Sequence, residues 1–214
     1  MGKIFNLDAP VIQWLGKVGQ MMVTTVTWLL CCLPIITVGA ATAAMYRMMF
    51  NLKEDRSCTV KDFFRAFREN FGKATVLWLI QLGVIALLAG LYWLTLLVDN
   101  GVVRMAVLMV FCALFFIVYI AGLYLFPLTA YFENTVAGTL GNAVAMGLGN
   151  LRQSIIAGAV TMIPLVVGMV SMQIFVQMLF LWIVLAPGAI AYGVVCVLRP
   201  VFLRYTPGGE EGLF

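Results

Sequence analysis

Residues 102–126 read VVRMAVLMVFCALFFIVYIAGLYLF, and Arg104 is the only charge among them. A helix of about 20 apolar residues crosses the roughly 30 Å hydrocarbon core of a bilayer, whereas a barrel strand needs only about 10 residues of alternating polarity. The run is long and does not alternate, so it reads as a membrane-spanning helix. Just before it, Asp99, Asn100 and Gly101 form a tight turn. Before that turn lies a second apolar run, residues 74–98, with Trp78 and Trp93 spaced along it. Two spans joined by so short a turn form an antiparallel hairpin. Pro127 is expected to close the second of them.

The rest of the chain has the same character. Hydrophobic residues make up 64% of it and charged residues 10%, against about 45–50% and about 25% in soluble domains. A water-soluble fold of this size cannot hide so much apolar surface, so lipid is the solvent for much of it. Residues 21–39, with polar positions Gln13, Lys17, Gln20, Thr24 and Thr27 upstream and along one face, form a further span or a re-entrant segment broken between Pro34 and Gly39. Residues 40–52 follow as a short helix rich in small residues and methionine.

Seven of the thirteen basic residues fall within 47–73. There Thr59 and Asp62 suit a helix N-terminus. Phe63, Phe64, Phe67 and Phe71 line one face of an expected in-plane interfacial helix, with its rings at the acyl boundary. Residues 137–151 read as a second short helix at the membrane surface. Residues 155–174, carrying Pro164, and 179–203, carrying Pro187, are expected as the fourth and fifth spans. The expectation is an all-α polytopic membrane bundle of about five transmembrane helices plus short interfacial amphipathic helices. It forms one domain over residues 1–204, with a flexible tail over 205–214.

Counting basic residues sets the orientation, because Lys and Arg concentrate on the cytoplasmic side. With the 47–73 segment inside and five spans, Arg152, Arg199 and Arg204 also fall inside, and Lys3, Lys17 and Arg104 fall outside. The expected protein thus sits in the plasma membrane with its N-terminus out and its C-terminus in, unless the first run is a re-entrant hairpin broken between Pro34 and Gly39, which returns the N-terminus to the cytoplasm. No strongly basic segment abuts the first run, so cleavage as a signal peptide is not expected. Asn6 stands where myristoylation prefers Ser or Thr.

The chain has no histidine, which removes the commonest general base and metal ligand. Its five cysteines form no C-x-x-C pair, and they read as small buried hydrophobes. No carboxylate lies mid-span, and no phosphate loop, nucleophile elbow or metalloprotease signature occurs. No enzyme activity, cofactor, metal or nucleic-acid partner is therefore expected. Ala86 with Gly90, and Ala189 with Gly193, are spaced for close helix approach, within the bundle or to another subunit.

Several segments resemble the YesL-like family of small bacterial membrane proteins. They are the opening Ile4-Phe5-Asn6-Leu7-Asp8-Ala9-Pro10, then Trp28-Leu29-Leu30-Cys31-Cys32-Leu33-Pro34-Ile35-Ile36-Thr37-Val38-Gly39-Ala40 and Thr42-Ala43-Ala44-Met45-Tyr46. Phe63-Phe64-Arg65-Ala66-Phe67-Arg68-Glu69-Asn70-Phe71 follows the same pattern, and Tyr131-Phe132-Glu133-Asn134 is a less specific match. Members of that family are commonly encoded beside carbohydrate-uptake ABC transporters and glycoside hydrolases, mostly in Gram-positive bacteria. The resemblance implies a non-enzymatic accessory role in oligosaccharide uptake, in contact with the permease subunits. It brings no catalytic residues. Pro34, Gly39, Phe63, Phe64, Phe67 and Glu133 are the positions expected to shape the bundle or meet a partner. A stand-alone small-solute transporter or channel is the alternative. The sequence leaves oligomerisation open.

Overall fold

The computed structural model describes residues 10–56 and 58–206. All regular structure among them is helical. The helices are α1 (Pro10–Cys31), α2 (Val38–Lys53), α3 (Val60–Leu96), α4 (Gly101–Tyr131), α5 (Val136–Gly149), α6 (Leu151–Val170), α7 (Met172–Gln177), α8 (Leu179–Val184) and α9 (Ala186–Tyr205). Five segments are long and apolar enough to cross a membrane: Ile35–Lys53, α3, α4, α6 and α9. The all-helical polytopic architecture is as the sequence indicates. The opening motif around Ile4 and most of the expected tail lie outside the described residues.

The α3–α4 hairpin follows from its caps. Thr59 accepts from the Asp62 backbone N–H, and Asp62 accepts from that of Thr59, a reciprocal box that starts α3. The Asn100 side chain accepts from the N–H groups of Val102 and Val103 and starts α4. Between the two helices the rings of Tyr92 and Phe111 lie 5.6 Å apart.

Elsewhere the expected bounds are corrected. The first apolar run is not one helix. It breaks after Cys31, and Pro34 takes an extended conformation that leads into a single 3-10 turn over Ile35–Thr37. The Thr37 hydroxyl donates back to the Pro34 carbonyl at 2.7 Å and holds the turn. The Trp28 indole N–H reaches Thr42 at 3.2 Å, and Lys17 pairs with Asp55 at 2.6 Å, so α1 and α2 run antiparallel. The segment long and apolar enough to cross therefore lies over Ile35–Lys53 rather than over 21–39.

The phenylalanine-rich segment is not a separate interfacial helix either. It is the beginning of α3, continuous with the span, and Phe63 is buried in the protein core. α4 runs through Pro127 to Tyr131, because the residues beyond the proline are buried against α2 and α9. α5 is drawn in alongside α4, with Gly147 against Ile120 and Tyr124, rather than lying on the surface. The fourth span ends at Val170. The fifth begins at Ala186, with Pro187 in its first turn, where a missing N–H costs nothing.

The core gathers where α2, α4 and α9 converge. Phe50, Tyr124, Tyr131 and Phe202 form a ring cluster there, with Tyr131 4.9 Å from Phe50 and 5.2 Å from Phe202. Lipid tails are as apolar as leucine, so close packing rather than water exclusion holds such a bundle together. Gly39 shows the requirement. A Cβ there would sit 2.6 Å from the Trp78 Cβ and closer still to the Ala74 carbonyl of α3. Gly193 faces Val160 of α6, whereas Ala189 is exposed. Ala86 and Gly90 are exposed, and no side chain approaches Gly90.

Candidate functional site: a mixed-charge groove at one end of the bundle

The charged residues of α2, α3 and the α4–α5 link collect at one end. Arg47 lies on α2, Glu69 and Lys73 on α3, and Glu133 just past α4. All four line one open groove of about 440 Å³. The local reasons are plain. Lys73 is the last charged residue before the apolar stretch that starts at Ala74. Glu133 lies in the extended link between the Phe132 cap of α4 and the Thr135 cap of α5. Arg47 is fixed by donation from Nη1 to the Ala130 carbonyl at 2.9 Å. A second groove of about 450 Å³ adjoins it at Arg47 and Glu69 and runs past Arg56, Asp62 and Arg65. The Arg65 guanidinium donates to Asp62 at 2.6 Å across its near end.

An ionic corner closes the same region. Glu54 lies 3.7 Å from Arg199 of α9 and 3.5 Å from Arg56. Asp55, in the left-handed conformation with φ 56°, takes Lys17 of α1. That hydrogen bond to the ammonium holds the Asp55 carboxyl below the usual carboxylate range. Nearby, the Cys58 thiol donates to the Met48 carbonyl at 3.2 Å. Burial pushes its pKa up to about 11. These contacts put the start of α1, the α2–α3 link and the end of α9 at one end of the bundle. Lys17 therefore lies beside the basic segment, as the re-entrant reading of the first run has it, and not apart from it as the five-span count has it.

Beside the spans the cavities are apolar. One of about 410 Å³ lies between α3 and α4, with Gln81 its polar residue apart from two tyrosines. Another of about 410 Å³ is lined by α6, α8 and α9 around Trp182. No group of three or more Cys, Asp or Glu residues is placed to hold a metal among the described residues.

The six positions singled out in the sequence separate. Gly39 and Phe63 are internal packing positions, and Phe67 packs partly against the core. Pro34 makes the turn between α1 and α2. Phe64 is half exposed, and Glu133 is in the groove. Sequence reasoning passed over Arg47, Glu69 and Lys73 as groove residues. Their signal was charge beside an apolar run, but only the packing of α2, α3 and α4 brings them to Glu133.

Fold and groove together define a polytopic helical membrane protein with its charge concentrated at one end. A family model described as a protein of unknown function, DUF624, matches residues 21–96, from within α1 to the end of α3. No curated protein matches the chain, and no solved structure does.

Proposed function

We propose that this chain is a non-enzymatic accessory subunit of an oligosaccharide ABC uptake system, held against the permease subunits in the plasma membrane. The observation that carries the reading is the distribution of polar groups. They collect in open grooves at one end, while the cavities along the spans are apolar. A sugar carrier needs hydrogen-bonding groups near the middle of the membrane. The YesL-like resemblance of the segments within 21–96, the region that the family model matches, supplies the carbohydrate link. The contact surface in this reading is the outer face of α3's first turns, where Lys61, Phe64, Arg68 and Phe71 recur at helical spacing and all are exposed.

The test is capture of the tagged full chain from native membranes in mild detergent. Permease subunits are expected with it, in amounts several-fold lower for Phe64→Ala combined with Lys61→Glu. Recovery of a pure oligomer of this chain, together with sugar flux in proteoliposomes, would replace the accessory role with stand-alone transport.

A further inference from the structure

The depth of α2 is fixed by its neighbours on α3. Gly39 meets the Ala74 backbone, and the Trp78 indole N–H donates to the Ile35 carbonyl at 2.9 Å. Further along α2, Arg47, Met48 and Asn51 share a groove with Asp62, Arg65 and Glu69. So α2 lies beside the part of α3 that precedes Ala74, and only its start reaches Trp78. The outer side of that part carries Lys61, Arg65, Arg68 and Glu69, all exposed. From Ala74 to its end α3 carries no charge and rises about 33 Å, enough by itself for the roughly 30 Å hydrocarbon core. α4 shares the same boundary, since Phe126 ends its apolar run before Pro127 with its ring 6.3 Å from that of Trp78. Were α2 to cross, those four charges would stand in hydrocarbon at high cost, and the apolar rest of α3 would run on into water.

What reaches that boundary is the turn between α1 and α2. Leu33, Ile35 and Ile36 there are 79%, 71% and 59% exposed, and the exposed apolar surface continues onto Val76, Leu79 and Ile80 of α3. The turn is also finished for surroundings without water. Pro34 has no N–H to satisfy. The Leu33 and Thr37 N–H groups go to the carbonyls of Leu30 and Pro34. The Thr37 hydroxyl is shared between the carbonyls of Cys31 and Pro34, at 2.5 and 2.7 Å, and Trp78 takes that of Ile35. In water, solvent would serve these groups; in lipid, the protein must. We infer that the α1–α2 hairpin is re-entrant. Its tip is set into the acyl chains of one leaflet beside Trp78 and turns back there. Ile35–Lys53, although long and apolar enough, does not cross. The occupant of the apolar tip is lipid, continuous with the lipid around α3 and α4, and the crossings are α3, α4, α6 and α9. The inference does not rest on the accessory role.

The experiment uses the full chain in liposomes, with its five native cysteines replaced by serine or alanine. One nitroxide at a time is placed on Leu33→Cys, Ile36→Cys, Arg68→Cys, Leu87→Cys or Asp99→Cys. Power-saturation EPR reads collisions with oxygen, which gathers in hydrocarbon, and with a neutral nickel chelate, which stays in water. Positions 33 and 36 are expected to favour oxygen several-fold, as does position 87, exposed in the apolar stretch of α3. Positions 68 and 99 are expected to favour the chelate. Each variant is first checked for the melting temperature of the cysteine-free parent, and the second tip position keeps the test decisive should the other fail to fold. Chelate access at 33 and 36, with impermeant maleimide labelling them from the side that labels 99, would overturn the inference in favour of a full crossing. Chelate access there with labelling from the opposite side would leave the hairpin in water and overturn the inserted tip. An oxygen-dominated reading at 68 would overturn the level given to the start of α3, and the four crossings with it.

Discussion

At the residue scale, two glycines in spanning helices make opposite demands. Gly39 meets the α3 backbone with no room for a methyl group, whereas nothing lies within 4 Å of a Cβ built at Gly83. Gly39→Ala should lower stability by about 1–3 kcal/mol through overpacking. Gly83→Ala should be neutral or stabilising by up to about 1 kcal/mol, because it removes only glycine's backbone freedom. Thermal melts of both variants in one detergent separate the two. Asp55 gives a pH prediction. Its folded-state pKa is depressed, so the contribution of the Lys17 pair is fully present above the unfolded value of about 3.9 and is lost as pH falls through the lower folded value. The melting difference between wild type and Asp55→Asn should therefore stay constant from neutral pH to about 5 and vanish only in stronger acid. Cys58, with its thiol pushed up to about 11, should react with maleimide at pH 8 about a hundredfold more slowly than an ordinary thiol.

Elements whose ends are set by neighbours in sequence are the ones a reader of the sequence can place. Thr59 with Asp62, and Asn100 with Val102 and Val103, are local devices, and the starts of α3 and α4 are legible from them. Thr59→Ala should cost about 1 kcal/mol and speed hydrogen exchange at the first turn of α3, with α4 unaffected. Other boundaries depend on partners remote in the chain. α4 passes Pro127 because Tyr131 is held by Phe50 and Phe202, which no window around the proline reveals. α5 leaves the surface because Gly147 admits Ile120 and Tyr124. The split of the first run was half visible, since Pro34 announces a break, but the antiparallel return of α2 rests on Trp28 and Thr42 meeting across it. Glu133 stands out in the sequence only within the Tyr131-Phe132-Glu133-Asn134 resemblance. Its companions Arg47, Glu69 and Lys73 could be found only once three helices had been packed.

For the whole molecule, composition settles the solvent and leaves the arrangement of sides to the ionic corner. Residue 17 at the start of α1 and residue 199 near the end of α9 both contact the α2–α3 link. That link follows the basic-rich end of α2, and basic residues are retained on the cytoplasmic side. The tight turn at Asp99 lies at the far end of the α3–α4 hairpin, separated from that link by the 37 residues of α3. A helix of that length reaches about 55 Å, more than the hydrocarbon thickness. With the five native cysteines replaced by serine or alanine, single cysteines at 17, 55 and 99 report the arrangement through a membrane-impermeant maleimide. Positions 17 and 55 should label together in inverted vesicles and be protected in right-side-out ones, and position 99 should show the reverse. Labelling of 17 and 55 from opposite sides would break the α1–α2 hairpin and the shared end built on it. Labelling of 17 and 55 together from outside would keep the hairpin and reverse only the orientation drawn from charge.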